Sequence, residues 1–349
     1  MKGNADGGAT ARPTAPAGPS RRTALKLLGA VGAGASIGLA PGIIAPWWMR
    51  GFSLDPNGLA GEGTLRRELE GLIERTPGAL GVRRVAAEPE FLYVDLLCEG
   101  FFQSWSKSAM RGEWTTSLAP DPLQPWDTPT APLPAELPLG ALQRAYERVR
   151  DQDRASATLA VDDALRLQLS VPPEDSSSDD IGLDLATLQP VPALDLEHGD
   201  GIGAALAEIL ASHAPAVRVI GSFNGFVHVD GAVDGLRGEY RIVRDPTLAP
   251  RASCVDPDPA DPALAFDPTA LDPTLPAVHR DGVGERAGVA GTVWDWEFRR
   301  PGRGRDPGLS FGIGESGPTS RVWVGPDGAV LAVEDASGAC LGDSGWCAG

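Results

Sequence analysis

Lysine is nearly missing from this chain. Lys2, Lys26 and Lys107 are the only three in 349 residues, and 47 acids against 30 bases set a formal charge of −17. A surface this acidic repels phosphate, which argues against nucleic acid or anionic lipid as the main partner. Calcium or a basic partner is compatible with the charge but not demanded by it. Cysteine is scarce too: Cys98, Cys254, Cys340 and Cys347 show no Cys-x-x-Cys spacing, so an iron–sulfur cluster has no ligand set. His198, His213, His228 and His279 are too few and too scattered for a multicopper centre. No Gly-x-Gly-x-x-Gly follows a strand pattern, which removes the support for a dinucleotide fold. No cofactor is therefore expected, and no metal ligand set can be named.

What is present begins with a flexible-looking leader rich in Gly, Ala and Pro. It runs into Ser20-Arg21-Arg22-Thr23-Ala24-Leu25-Lys26 and then an apolar stretch from Leu27 to Ala45. This segment resembles a twin-arginine export signal, with Ala24 standing where a Phe is common. The resemblance implies export in a folded state to the periplasm, cell envelope or extracellular space. Arg21 and Arg22 would then engage the twin-arginine translocase. The stretch is rich in Gly and Ala and marginal for a stable span. Small residues precede Pro41 and Pro46, which disfavours cleavage at either place. Residues 1–45 thus read as a signal peptide or as an uncleaved anchor, the one membrane attachment expected.

The 42 % hydrophobic content of the chain is that of a globular protein. Residues 46–119 form a mixed segment. "TLRRELEGLIER" places Leu65, Leu69, Leu72 and Ile73 on one helical face, with Thr64 as N-cap. "FLYVDLLCEGFFQSW" is a dense apolar run that fits a strand or a helix. Residues 120–138 are Pro-rich and read as a linker or a surface loop. Residues 139–349 read as an α+β domain. It opens with an amphipathic helix over 139–154, and "LRLQLSV" alternates as a strand from Leu165 to Val171. A short helix over 201–213 precedes a series of strands punctuated by Asn-Gly, Asp-Gly and Arg-Gly turns. No internal repeat is visible. The fold class expected is α+β, with amphipathic helices in the N-terminal half. The C-terminal half is strand-rich, antiparallel and open to a sandwich-like arrangement.

Two stretches carry candidate chemistry. Gly342-Asp343-Ser344-Gly345 resembles the nucleophile loop of chymotrypsin-like serine proteases. Only five residues follow Ser344, however, where that family needs further strands, and no His lies in an Ala-Ala-His context. Cys340 and Cys347 around it read instead as a small cystine loop, which export would favour. Cys98 and Cys254 are left as the remaining pair, although four cysteines allow three connectivities.

The second stretch is "VWDWEF". In a strand, Asp295 and Glu297 share one face about 6–7 Å apart, within the range of a glycosidase pair. The stretch is similar to the Glu-Ile-Asp-Ile-Glu-Phe strand of laminarinase-like glucanases, which have a β-sandwich fold. That resemblance implies Asp295 as the central Asp and Glu297 as the acid/base, and it puts Val293 where the nucleophile belongs. An amphipathic edge strand with a solvated acidic face accounts for the same residues.

Asp256, Asp258, Asp261, Asp267 and Asp272 could cluster oxygens for calcium, but a Pro follows nearly every one and favours a solvated loop. His198, with Glu197 and Asp200 beside it, reads as a turn into a helix. Nine Trp residues serve as core, with Trp346 the most exposed, or as platforms for sugar rings. The function expected is an exported, non-catalytic binding protein with a glycan, calcium or protein ligand. The alternative is a secreted hydrolase acting on saccharides through Asp295 and Glu297.

Overall fold

The computed structural model describes residues 58–346, apart from 110, 117–118, 125–129, 153, 174–179, 212, 259–260 and 342–345. The export motif at Arg21 and Arg22, Ser344 and Cys347 lie outside the described residues.

Helix α1 (Glu62–Arg75) buries Leu65, Leu69 and Leu72, the i, i+4, i+7 face expected. It starts one turn earlier than expected, at Gly61, and Thr64 is buried inside it rather than capping it. Thr76 ends it, its hydroxyl donating to the Leu72 carbonyl at 2.8 Å. Strands β1 (Ala79–Ala87), β2 (Phe91–Cys98) and β3 (Phe101–Ser108) follow as a meander, so the ambiguous apolar run is a hairpin. Gly100, at φ +82°, makes its tight turn, a conformation other residues rarely adopt. Short strands β4 (Trp114–Thr116) and β5 (Asp121–Pro122) both pair with β3.

The Pro-rich segment is no linker between domains. Val82 of β1 donates its backbone N–H to the Pro132 carbonyl at 2.9 Å. A Cβ at Gly81 would stand 2.5 Å from the Ala131 oxygen, so the segment lies directly on the strand. Helix α2 (Leu139–Val149) buries Leu142, Ala145, Tyr146 and Val149. Strands β6 (Ala157–Val161), β7 (Leu167–Val171) and β8 (Ile181–Leu183) complete the first sheet, in the order β4-β3-β2-β1-β6-β7-β8. Because β1 and β6 pair directly, the boundary expected at 120–138 runs through one sheet and separates nothing. Leu165 is in a left-handed turn, φ +59°, and not in the strand.

Helix α3 (Gly199–Leu210) and strands β9 (His213–Phe223), β10 (Phe226–Val233), β11 (Glu239–Arg244) and β12 (Arg251–Asp256) open the second sheet. Two short helices, α4 (Leu275–Arg280) and α5 (Val283–Ala287), precede β13 (Thr292–Arg299), β14 (Gly308–Gly314), β15 (Ser320–Val324) and β16 (Val330–Asp335). The order is β12-β11-β10-β9-β13-β14-β15-β16. Asn224 and Gly225, at φ +51° and +80°, form the expected hairpin turn. Of the two Asp-Gly pairs, Asp234-Gly235 makes the expected turn, with Gly235 at φ +78°, while Asp230-Gly231 lies inside β10 at a register shift.

The protein is thus α+β with a strand-rich C-terminal half, as expected, and among the described residues the N-terminal half carries an eight-stranded sheet as well. Each sheet consists of two units, a helical segment followed by an antiparallel meander, joined through their first strands, β1 to β6 and β9 to β13. This repeat of topology carries no repeat of sequence. Each sheet has its own apolar core, and the second packs against α3 through Ile202, Leu206 and Ile209 rather than forming a sandwich with another sheet.

The two sheets are tied by polar contacts. The Asp162 and Asp163 carboxylates accept the backbone N–H groups of Ala252 and Cys254 on edge strand β12, at 2.8 and 2.9 Å. These bonds occupy an edge that would otherwise be open to pairing with another chain. Arg83 ion-pairs with Asp163 behind them. Arg244 is wholly buried and reaches Glu208, Leu248 and Pro192 at 2.6, 2.6 and 2.7 Å, and also the Asp245 carbonyl.

Candidate functional site

Asp295 and Glu297 share a face of β13, as the alternation required. The strand is not an edge: β9 and β14 flank it, and Asp295 is only 9 % exposed. Their face is the one opposite α3, and it is built of charge. From Arg321 on β15, Nη2 donates to Asp295 Oδ1 at 2.9 Å, while Nη1 lies 3.3 Å from Glu297 Oε2 and 3.2 Å from the Ser310 hydroxyl. Arg299 Nε donates to Glu297 Oε2 at 2.9 Å and its guanidinium lies over the Trp323 ring. Further along, Arg241 holds Asp230 by two bonds of 2.7 Å, and Arg218 holds Glu239 at 2.6 Å. Four carboxylates therefore face four guanidiniums. Burial pushes the Glu239 carboxyl up in pKa, with Arg218 pulling against it, and the bond to Asp230 raises Arg241.

Two glycines open the space for this network. A Cβ at Gly312 would fall 2.7 Å from both Asp295 carboxylate oxygens, and one at Gly221 would fall 2.7 Å from His228 Cε1. His228 is buried, and neither ring nitrogen has a hydrogen-bond partner. Burial lowers its pKa below the ordinary 6.5, against the pull of Asp230, Glu297 and Asp295 and with the push of Arg241. Composition offered no signal for His228, Asp230 or Arg321. Asp230 was hidden because Asp-Gly spells a turn.

β13 also borders a shallow cleft with room for only about 20 Å³, lined by Glu197, Ser222, Arg280, Trp294, Asp295 and Trp296 among others. A register shift between Val293 and Asp295 makes Trp294 an extra residue and turns it outward. Trp296 and Phe298 go to the core. A wider groove of about 520 Å³ runs between β7–β8 and residues 248–251.

The remaining candidates separate. Cys98 and Cys254 are buried free thiols, each in its own sheet, so the pairing expected between them is not formed. Cys340 bridges to Glu334 beside β16, and the expected Cys340–Cys347 loop cannot be followed, because Cys347 is not described. The Asp-Pro stretch is a chain of local turns: Asp256, Asp261, Asp267 and Asp272 each accept a backbone N–H two residues on. The Thr269 hydroxyl and N–H hold Asp267 below the usual carboxylate range, the Ala263 N–H and Arg303 do so for Asp261, and the Thr274 N–H and hydroxyl for Asp272. Among the described residues no three His, Cys, Asp or Glu side chains are placed to hold a metal ion. His198 bonds Asp195 at 2.8 Å. Trp346, expected at the surface, packs 6.2 Å from Trp323 and against Gly308, where a Cβ would stand 2.9 Å from its ring. Among the described residues no helix is long and apolar enough to cross a membrane.

No known family matches the chain, and no curated protein matches it. Among solved structures it is similar to PCNA from Thermococcus kodakaraensis at 12 % identity, over 72 % of this chain and 93 % of that one, with a TM-score of 0.14. The DNA polymerase sliding clamp from Pseudomonas aeruginosa matches at 10 % identity, over 73 % of this chain and 60 % of that one, with a TM-score of 0.15. TM-scores this low carry no argument about fold or function.

Proposed function

We propose that this chain is an exported, non-catalytic binding protein of the cell envelope or extracellular space. The observation that carries the non-catalytic part is Arg321, which engages both Asp295 and Glu297. A glycosidase needs two carboxylates facing a bond to be cleaved, with that bond's oxygen between them. Here a guanidinium occupies the place between them. Export through the twin-arginine translocase rests on Arg21 and Arg22, and the disulfide on Cys340 and Cys347.

Two measurements test the reading. Purified protein is incubated with chromogenic glycosides and polysaccharides, and no turnover is expected. Hydrolysis abolished by Glu297→Gln would establish the hydrolase instead. In the second, Arg21→Lys/Arg22→Lys should retain the chain in the cytoplasm, and unchanged export would remove the translocase from the proposal. A thermal-shift screen against calcium and saccharides then sorts ligands. One at about a hundred times its Kd adds about 2.7 kcal/mol, readable as a shift of several degrees.

A further inference from the structure

We propose that the groove between β7–β8 and residues 248–251 binds a small amphiphilic amine, a hydrocarbon or aromatic body carrying one cationic nitrogen. The inference rests on the binding-protein reading and assigns it a site and a ligand class. At about 520 Å³ the groove falls within the range of about 300–1,000 Å³ typical of small-molecule sites. Most of its lining is apolar, with Leu167, Leu169, Leu183, Leu185, Val191 and Leu248 as the larger side chains. The four leucines of the first sheet are backed by that sheet's core. Leu248, on the facing wall, belongs to neither apolar core among the described residues, so its side chain is available to a ligand.

The polar groups of the lining choose the charge. Asp180, Asp184 and Glu208 are its acids and Arg251 is its base. Glu208 is already neutralised by Arg244, whose Nε donates to it at 2.6 Å. Asp180 and Asp184 stand at the two ends of β8. Asp180 accepts the Ser170 hydroxyl at a long 3.4 Å. Asp184 Oδ1 accepts the Thr187 N–H and hydroxyl, both at 2.7 Å, which hold this carboxyl below its usual range and leave Oδ2 for a ligand. Two carboxylates then face one guanidinium, a surplus of one negative charge that a monocation matches and an anion of the same shape does not. Both aspartates are exposed at the rim. The apolar body therefore supplies most of the affinity, and the carboxylates select the sign of the charge.

The walls are held before any ligand arrives. Arg244 donates to the carbonyls of Leu248 and Pro192 at 2.6 and 2.7 Å, so with Glu208 one wholly buried guanidinium fixes three lining residues. The first sheet grips the same loop from its own side. Gly182 of β8 donates its N–H to the Thr247 carbonyl at 2.9 Å, and the Thr247 hydroxyl donates to the Asp180 carbonyl at 2.8 Å. Gln168 of β7 donates to the Pro250 carbonyl at 3.1 Å. A Cβ at Gly182 would stand 3.1 Å from the Leu248 Cα, so strand and loop meet as closely as a glycine allows. Such preorganisation reduces the ordering cost of binding.

The test is a titration of the full chain with hexylamine and phenethylamine, into the tens of millimolar, followed by calorimetry and saturation-transfer NMR. Hexanoate carries the same body with the opposite charge, and ethylamine carries the charge without the body. Both controls should bind at least tenfold more weakly than the larger amines, about 1.4 kcal/mol. Asp180→Asn/Asp184→Asn should weaken hexylamine about fivefold and remove its preference over hexanoate. Leu248→Ser should weaken both larger amines, and Arg251→Ala should leave them as tight or tighter. Unaltered urea midpoints for these variants would show that the fold survives. No binding by either amine, binding untouched by Asp180→Asn/Asp184→Asn, or hexanoate bound as well as hexylamine each overturns the site. A thermal shift from calcium, a saccharide or a protein in the absence of amine binding would overturn it too, while leaving the broader binding reading in place. Chemical conversion of the bound amine would overturn both.

Discussion

Arg244→Met removes a wholly buried guanidinium, the one such among the described residues, that pins α3 to the loops between the sheets. Methionine fills a comparable volume, so the cost comes from the acceptors left behind. These are the carbonyls of Pro192, Asp245 and Leu248 and the carboxylate of Glu208. A dry orphaned carbonyl costs about 1–3 kcal/mol. Glu208 is 36 % exposed and can rehydrate, and the methionine adds apolar burial. The net expectation is about 4 kcal/mol, within the range for breaking a buried ion pair. For a chain of this size that lowers Tm by roughly 5–7 °C. Differential scanning calorimetry and urea titration followed by tryptophan fluorescence both read it. Arg237→Ala is the control. Arg237 pairs with Asp258 at 3.5 Å with both side chains at least 80 % exposed, and its loss should cost less than about 0.5 kcal/mol. If Arg244→Met melts with Arg237→Ala, the argument that Arg244 carries the junction is refuted.

Three further outcomes follow from the same geometry. The pKa of His228 is lowered in the fold, so the unfolded chain binds a proton that the folded chain refuses. Stability should therefore be full above about pH 6.5 and fall as pH drops below it, and urea midpoints of His228→Gln should lose that slope between about pH 7 and pH 5. Arg321→Ala leaves Asp295 uncompensated on a covered face, with Glu297 still held by Arg299, and should cost about 2–4 kcal/mol by urea titration. Arg321→Lys should recover only part of this, because one ammonium cannot span both carboxylates and Ser310. Burial raises the pKa of the Cys98 and Cys254 thiols, so the native protein should react slowly with a thiol reagent. After unfolding without reductant, two thiols should titrate if Cys340 and Cys347 are joined, and four if they are not.

Much of the local structure was legible in the sequence. Leu65, Leu69 and Leu72 at helical spacing, the Asn224-Gly225 turn and the shared face of Asp295 and Glu297 depend on neighbours a few residues away, and there periodicity and turn chemistry decide. Partners distant in the chain were not legible. Arg321 reaches Asp295 across 26 residues, and Arg83 reaches Asp163 across 80. Only strand order brings them together. The same order placed β13 inside a sheet, so a face that read as solvated became an ion-paired layer. It also turned Asp230-Gly231 from a turn into strand, because Arg241 on the adjacent strand offers the aspartate a partner that no local pattern shows. Residue type and spacing determined which segments are helix and strand and which side of each is apolar. Tertiary structure decided which charges are neutralised and which side chains meet a cleft, because both depend on contacts made after the chain has folded back on itself.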